Sequence, residues 1–190
     1  MKIIAVALAA ITFSPAALHA QDADVAERPL AAVGMDKDEG CLTGPMAQFG
    51  RYLGDWDIAD EQLSREDGKT WTQGAGARWN FTCVGNGTAI QDFWMPNGGS
   101  FGTNLRMYDE DKDSWDIAWV SALTPAMAHI GAKMDDDGKI VMHSIAPKPN
   151  PARRITFFPP TKSGWDWTLE ISTDGEKTWR TVYRITATPR

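Results

Sequence analysis

Apolar and polar residues alternate along most of the chain after residue 54, which is the spacing of a β-strand with two unlike faces. In residues 75–83, for example, every second residue is alanine, tryptophan, phenylalanine or cysteine, and the residues between them are mostly polar. Similar runs cover residues 54–58, 89–95, 101–108, 115–121, 126–134, 140–145, 154–158, 165–171 and 179–187. The pattern predicts about ten strands.

Turn-forming residues separate these runs, with glycine, asparagine, aspartate and proline clustered at short, even intervals. No helical stretch falls between the strands, which disfavours a parallel sheet with crossover helices. Even spacing of this kind is typical of an antiparallel barrel or sandwich. Ahead of the first strand, Pro45 follows a Thr-Gly pair, and Met46, Phe49 and Leu53 follow at helical spacing. One short helix over residues 45–53 is therefore predicted.

Two segments, residues 64–71 and 172–179, share a serine start, an acidic glycine-containing centre and a Thr-Trp end. They resemble the Asp-box hairpin found in propellers and other β proteins, although neither copy matches it fully. The resemblance implies a structural role, in which the acidic side chain binds the turn backbone.

The amino terminus has the features of a cleaved signal peptide over residues 1–20. Lys2 precedes an apolar run at residues 3–13, and small residues lead to a cleavage site after Ala20. A membrane anchor is the alternative, but the run of about eleven residues is short of the roughly twenty that a spanning helix needs. We therefore predict a periplasmic or secreted protein with a flexible leader at 21–42 and one domain at 43–190. After cleavage we expect no membrane span.

The net charge limits the possible binding partners, and the cysteines bear on the redox state of the compartment. The net charge of −6 argues against nucleic acid as a partner, because binding phosphates needs a basic face. The two cysteines, Cys41 and Cys83, are expected to pair in an oxidising compartment. The alternative is two buried free thiols.

A short helix followed by Gly54, Asp55 and Trp56 resembles the opening of lipocalin-type barrels, and Arg184 lies in the last strand. The chain is similar to uncharacterised bacterial secreted proteins with a calycin-like, lipocalin or nitrobindin-like barrel. Further segments that carry the resemblance are residues 91–95, 101–109 and 115–120. It implies an all-β, up-and-down antiparallel barrel that holds a small, mostly apolar molecule, with Gly54 as a structural residue and Arg184 stacked on Trp56. Nitrobindin-like barrels bind haem through a histidine motif that is not visible here, so we expect no cofactor.

Several polar residues lie within apolar strand segments, and in a barrel one face of every strand points inward. If the polar face is the inner one, these residues converge on a ligand; if it is the outer one, they meet solvent. The candidate ligand-binding residues are Asp92, Trp94, Asn104, Arg106, Trp119, His129 and Glu170. A buried arginine needs a carboxylate partner, supplied by Asp92, by Glu170 or by a ligand acid.

The preferred function is an exported barrel that binds a small hydrophobic or amphiphilic molecule. One alternative is a small enzyme of the hydratase, isomerase or hydrolase type, in which Asp92, His129 and Glu170 would act as acid and base. Metal binding is a separate possibility, and it would need His129, His143 and a carboxylate to meet at one point. Another alternative is a carbohydrate-binding module, which would display a flat row of exposed tryptophans. A structural protein of the envelope without a small ligand is a further possibility.

Overall fold

The computed structural model describes residues 39–190, apart from the side chains of residues 124–126. Two 3-10 turns, Glu39–Leu42 and Gly44–Met46, lead into one short helix, α1 (Ala47–Gly50). Eleven strands follow: β1 (Gly54–Leu63), β2 (Trp71–Gln73), β3 (Ala77–Val84), β4 (Ala89–Pro96), β5 (Gly102–Asp109), β6 (Ser114–Ser121), β7 (Thr124–Met134), β8 (Ile140–Ala146), β9 (Ala152–Phe157), β10 (Trp165–Ser172) and β11 (Arg180–Pro189).

The strands form one antiparallel sheet that closes on itself. From β3 to β11 each strand pairs with the next along the chain, and β1 pairs with both β3 and β11. The closing register runs from Trp56 opposite Pro189 to Gln62 opposite Tyr183. Ten strands therefore make a barrel, and β2 is an extra strand beside the second half of β1. This confirms the predicted all-β, up-and-down barrel with a short helix before the first strand.

The connection between β2 and β3 packs against Asp60, a buried carboxylate on β1. Its Oδ1 accepts a hydrogen bond from the backbone N–H of Gly76 at 2.8 Å, and a Cβ on Gly74 would overlap the carboxylate. Gly76 has a φ of +75°, a conformation that favours glycine. These contacts fix the chain where it leaves β2 and enters β3.

One end of the barrel, which we call the closed end, is covered by α1 and the residues after it. The ring of Phe49 packs edge-on against Trp115 and Phe157, with centroid distances of 4.9 and 5.5 Å. Tyr52 packs against Trp165 at 5.1 Å and donates its hydroxyl hydrogen to the carbonyl of residue 158 at 2.9 Å. Aromatic rings therefore pack against one another at this end. The opposite end, where β9 begins, is the open end.

Cys41, in the first 3-10 turn, forms a disulfide bond with Cys83 near the end of β3. Both cysteines are fully buried. The bond ties the segment that precedes α1 to the barrel wall, and it resolves the choice between paired and free thiols in favour of pairing.

Of the structural residues that the resemblance implies, Gly54 and Trp56 lie at the start of β1. Trp56 is buried and its Nε1 donates to the carbonyl of Tyr52 at 2.8 Å. Arg184 differs from the expectation. It points outward, where its guanidinium stacks over Trp71 at 4.3 Å and pairs with Glu61 at 2.7 Å. The reason is register, because Arg184 lies opposite the outward-facing Glu61.

The two Asp-box-like segments form the β1–β2 and β10–β11 hairpins with matching hydrogen bonds. Asp67 Oδ1 accepts the backbone N–H of Thr70 at 3.0 Å, and Asp174 Oδ1 accepts that of Thr178 at 3.0 Å. Each carboxylate also accepts the hydroxyl hydrogen of the same threonine. The shared pattern gives these residues a structural role in the turns.

The predicted signal peptide and most of the predicted leader, residues 1–38, lie outside the described residues. Within residues 39–190, no helix has the length and apolar character needed to cross a membrane.

Candidate functional site

The interior of the barrel contains a cavity of about 440 Å³ between the closed and open ends. Four tryptophans line its walls: Trp79, Trp94, Trp119 and Trp167. Aliphatic side chains from β7 to β11 complete an apolar surface. The volume lies in the range of sites for small organic molecules, which are mostly apolar with a few placed polar groups.

Three polar residues at the deep end of this cavity come from neighbouring strands. Asp92 on β4 lies opposite Asn104 on β5, and Arg106 follows Asn104 on the same face. Asp92 and Arg106 are fully buried, and Asn104 is 5% exposed. Asn104 Nδ2 donates to Asp92 Oδ2 at 3.0 Å, and Arg106 Nη1 forms an ion pair with the same oxygen. The structure thus supplies Asp92, rather than Glu170, as the protein partner of Arg106.

Arg106 is surrounded by aromatic rings. Its guanidinium carbon lies 4.8 Å from the ring centre of Phe49, 5.2 Å from that of Phe81 and 5.9 Å from that of Phe157. Burial lowers the pKa of Arg106, and the ion pair with Asp92 opposes that shift. Within residues 39–190, Nε and Nη2 have no hydrogen-bond partner. Arg106 is among the residues that line the cavity, and these buried nitrogen atoms lie at its deep end.

Trp79 adds a further donor beside the cavity. Its Nε1 is buried and has no hydrogen-bond partner in the described part of the chain. Its ring packs edge-on against Trp94, with centroids 5.0 Å apart. The deep half of the cavity therefore combines apolar walls with unsatisfied N–H groups.

Trp119 lies on the cavity wall, and its ring reaches over Gly102, two residues along β5 from its register partner Asn104. Gly102 pairs with Trp94 on one side and Ser121 on the other, and a Cβ at Gly102 would overlap the ring of Trp119. Gly102 therefore makes room for the indole that closes this side of the cavity.

His129 and Glu170, both predicted at the ligand site, lie instead on the outer face of the barrel. His129 is exposed, and its Nε2 lies 2.8 Å from Asp116 Oδ1. Its neighbours Ala128 and Ile130 face the cavity, so the alternation of β7 directs His129 outward. Glu170 pairs with Arg154 Nε at 2.8 Å. The structure therefore does not bring Asp92, His129 and Glu170 together.

Arg153 and Tyr183 line the cavity but were not among the predicted site residues. The sequence contained a signal for Arg153. Two consecutive strand residues face opposite sides of a barrel wall, so one of the adjacent arginines at positions 153 and 154 must face inward. Tyr183 could not be predicted, because its place in the lining depends on a hydrogen-bond partner far away in sequence. Its hydroxyl donates to Asp60 Oδ2 at 2.5 Å, a residue distant in sequence. Burial and this bond both raise the pKa of Tyr183.

The geometry also bears on the carbohydrate-binding and metal alternatives. Each of the nine tryptophans is buried or half-buried, so the part of the chain that the structure describes displays no flat exposed row. Nor do three His, Cys, Asp or Glu side chains come together as a metal site within residues 39–190.

A scan against protein-family models gave no match, and a search of curated proteins gave none either. Solved structures do match. One is the S-type phycobiliprotein lyase CPES from Guillardia theta, with a TM-score of 0.52 and 13% identity over 82% of this chain and 97% of that one. The chain has a calycin-like barrel fold. At this level of identity the similarity concerns the fold alone.

Proposed function

We propose that this protein is exported and binds a small amphiphilic molecule inside its barrel. The observation that carries the proposal is an apolar cavity of about 440 Å³ with the unpartnered donors of Arg106 at its deep end. The predicted signal peptide and the disulfide support export, because disulfides persist in oxidising compartments.

The buried donors are the strongest argument for a ligand. A buried N–H group without a partner costs about 1–3 kcal/mol, and more when the group is charged. An oxygen or nitrogen acceptor on a ligand would satisfy Arg106 Nε or Nη2 while the aromatic walls enclose the apolar part of the molecule. The polar group of the ligand would thereby be oriented toward Arg106 and Asn104.

Binding is favoured over catalysis because the cavity lacks an acid–base pair among its described lining residues. Asp92 is held by Arg106 and Asn104, and His129 lies outside. General acid–base catalysis needs such groups within hydrogen-bond reach of the substrate. The similarity to the phycobiliprotein lyase structure supports a barrel fold for this chain and does not decide between binding and catalysis.

The test uses the fluorescent probe N-phenyl-1-naphthylamine, which brightens in apolar sites. We expect wild-type protein to bind it and Ala128→Trp, which fills the cavity from β7, to abolish binding. Thr168→Trp on β10, outside the cavity lining, is the matched control and should bind as wild type does. Equal binding by Ala128→Trp and wild type, with both folded by circular dichroism, would overturn the proposal. Ser144→Phe serves as a second filling variant if Ala128→Trp does not fold.

A further inference from the structure

We propose that the ligand is a single-charged anion whose acidic group binds Arg153 at the open end, while a neutral acceptor at its other end meets Arg106. This inference rests on the proposed function and specifies the chemistry of its ligand. It comes from the charges that line the cavity and from where each charge is already compensated.

The deep end of the cavity is electrically balanced. Arg106 has Asp92 as its counterion, and both side chains are fully buried. A second carboxylate placed beside Arg106 would leave a net negative charge among the rings of Phe49, Phe81 and Phe157, where charge is poorly solvated. A neutral acceptor, such as a carbonyl, hydroxyl or ring nitrogen, satisfies the free donors without adding charge.

The open end is not balanced. Arg153 lies on the inward phase of β9 with Ile155 and Phe157, lines the cavity and is exposed. Among residues 39–190 it has no carboxylate within ion-pairing distance. Its neighbour Arg154 shows the contrast. That side chain points outward, pairs with Glu170 at 2.8 Å and stacks over Trp179 at 4.6 Å.

The remaining ionisable group in the lining adds no charge at neutral pH. The Tyr183 hydroxyl is held by Asp60, and its raised pKa keeps it protonated. The Asp60 carboxylate lies behind Tyr183 and also accepts the N–H of Gly76. Arg153 is thus the uncompensated charge that the described lining presents to a ligand, on a chain whose net charge is −6.

The spacing of these groups describes the shape of the ligand. Phe157, whose ring centre lies 5.9 Å from the Arg106 guanidinium, is four residues along β9 from Arg153. Four strand residues span about 13 Å. The inferred ligand is an elongated carboxylic or sulfonic acid, with an apolar body between the aromatic walls and one neutral oxygen or nitrogen at the far end.

The experiment compares two probes that differ by one charge. These are 8-anilinonaphthalene-1-sulfonate and its uncharged analogue N-phenyl-1-naphthylamine, both titrated by fluorescence. Wild type should bind the sulfonate more tightly. Arg153→Gln should lower affinity for the sulfonate about tenfold, the range for a hydrogen bond to a charged group, and leave the neutral probe unchanged. Arg153→Lys, which keeps the charge, should retain most of the preference.

Arg154→Gln is the matched control, because it removes the adjacent arginine from the outer face; its preference for the sulfonate should equal that of wild type. Equal preferences in Arg153→Gln and wild type would overturn the inference, as would an equal loss of both probes. If Ala128→Trp still blocks both probes in that case, the proposed binding function stands without it. If both probes bind Ala128→Trp as they bind wild type, the proposed function itself fails.

Discussion

At the scale of single residues, the most unusual feature is a charged pair in the barrel interior. Asp92 and Arg106 are fully buried, and their mutual contact offsets the cost of removing each charge from water. Such a pair contributes little net stability compared with apolar residues of similar size, but the loss of one partner is severe. In the proposed function, the pair would hold the Arg106 guanidinium at the deep end of the cavity.

We expect Asp92→Ala to lower the free energy of unfolding by about 3–5 kcal/mol, because it leaves the Arg106 charge buried without a counterion. Urea denaturation followed by tryptophan fluorescence measures the change. The double variant Asp92→Leu/Arg106→Met should recover most of the loss and still fail to orient a ligand acceptor. A single variant that matches the wild type in stability would contradict the assigned ion pair.

The sequence identified Asp92, Asn104 and Arg106 as candidates, but it left open which strand face is the inner one. On β5 the usual arrangement is inverted, since the inner phase holds Asn104 and Arg106 while Leu105 and Met107 are exposed. The alternation of polar and apolar residues along β5 is the same whichever face of the strand points into the barrel. Only the closing of the barrel, with the partners that surround each side chain, decides between them.

At the scale of elements, the bounds of β3 to β11 were predicted to within two residues, β1 extends five residues beyond its predicted end, and the short strand β2 was not predicted. β2 has three residues and follows a hairpin, so its alternation is too brief to detect. The predicted helix over 45–53 is shorter in the structure, where α1 ends at Gly50. A Cβ at Gly50 would overlap the carbonyl of Cys41, which shows how closely this helix is packed.

The disulfide is the element-level feature whose removal is simplest to test. Cys41 and Cys83 are 42 residues apart, and the chain-entropy model gives about 4 kcal/mol for closing a loop of that length. We expect the double variant Cys41→Ala/Cys83→Ala to lose stability of that order in urea denaturation under oxidising conditions. Reducing agent should destabilise the wild type similarly and leave the double variant unaffected. Equal stability of wild type and variant without reductant would contradict the prediction.

At the scale of the whole molecule, the three tyrosines provide a probe of barrel integrity. Burial raises the pKa of Tyr52 to about 12, burial and Asp60 raise that of Tyr183, and the bond to Asp113 raises that of Tyr108. A raised pKa in the folded state means stabilisation that is present below the ordinary value of 10.0 and is lost as pH rises through the folded value.

Absorbance titration should therefore show Tyr52 and Tyr183 still protonated at pH 10 in the folded protein, with a steep rise in their phenolate only at higher pH as the barrel opens. Protein unfolded in urea is the reference and should titrate near the ordinary value. Tyr183→Phe should remove one phenol from the late phase. A gradual titration of the folded protein centred near pH 10 would contradict the buried placement of Tyr52 and Tyr183.

The pairing of β1 with β11 has a consequence for synthesis of the protein. The strand that completes the circle, β11, follows the other ten described strands along the chain, so a growing chain retains two unpaired sheet edges until residues 180–189 have emerged. Long-range closure of this kind slows folding, and open edges invite association with other chains. Loss of residues 180–189 would thus convert the closed barrel into an open sheet with two unpaired edges, which makes β11 important for solubility as well as for closure.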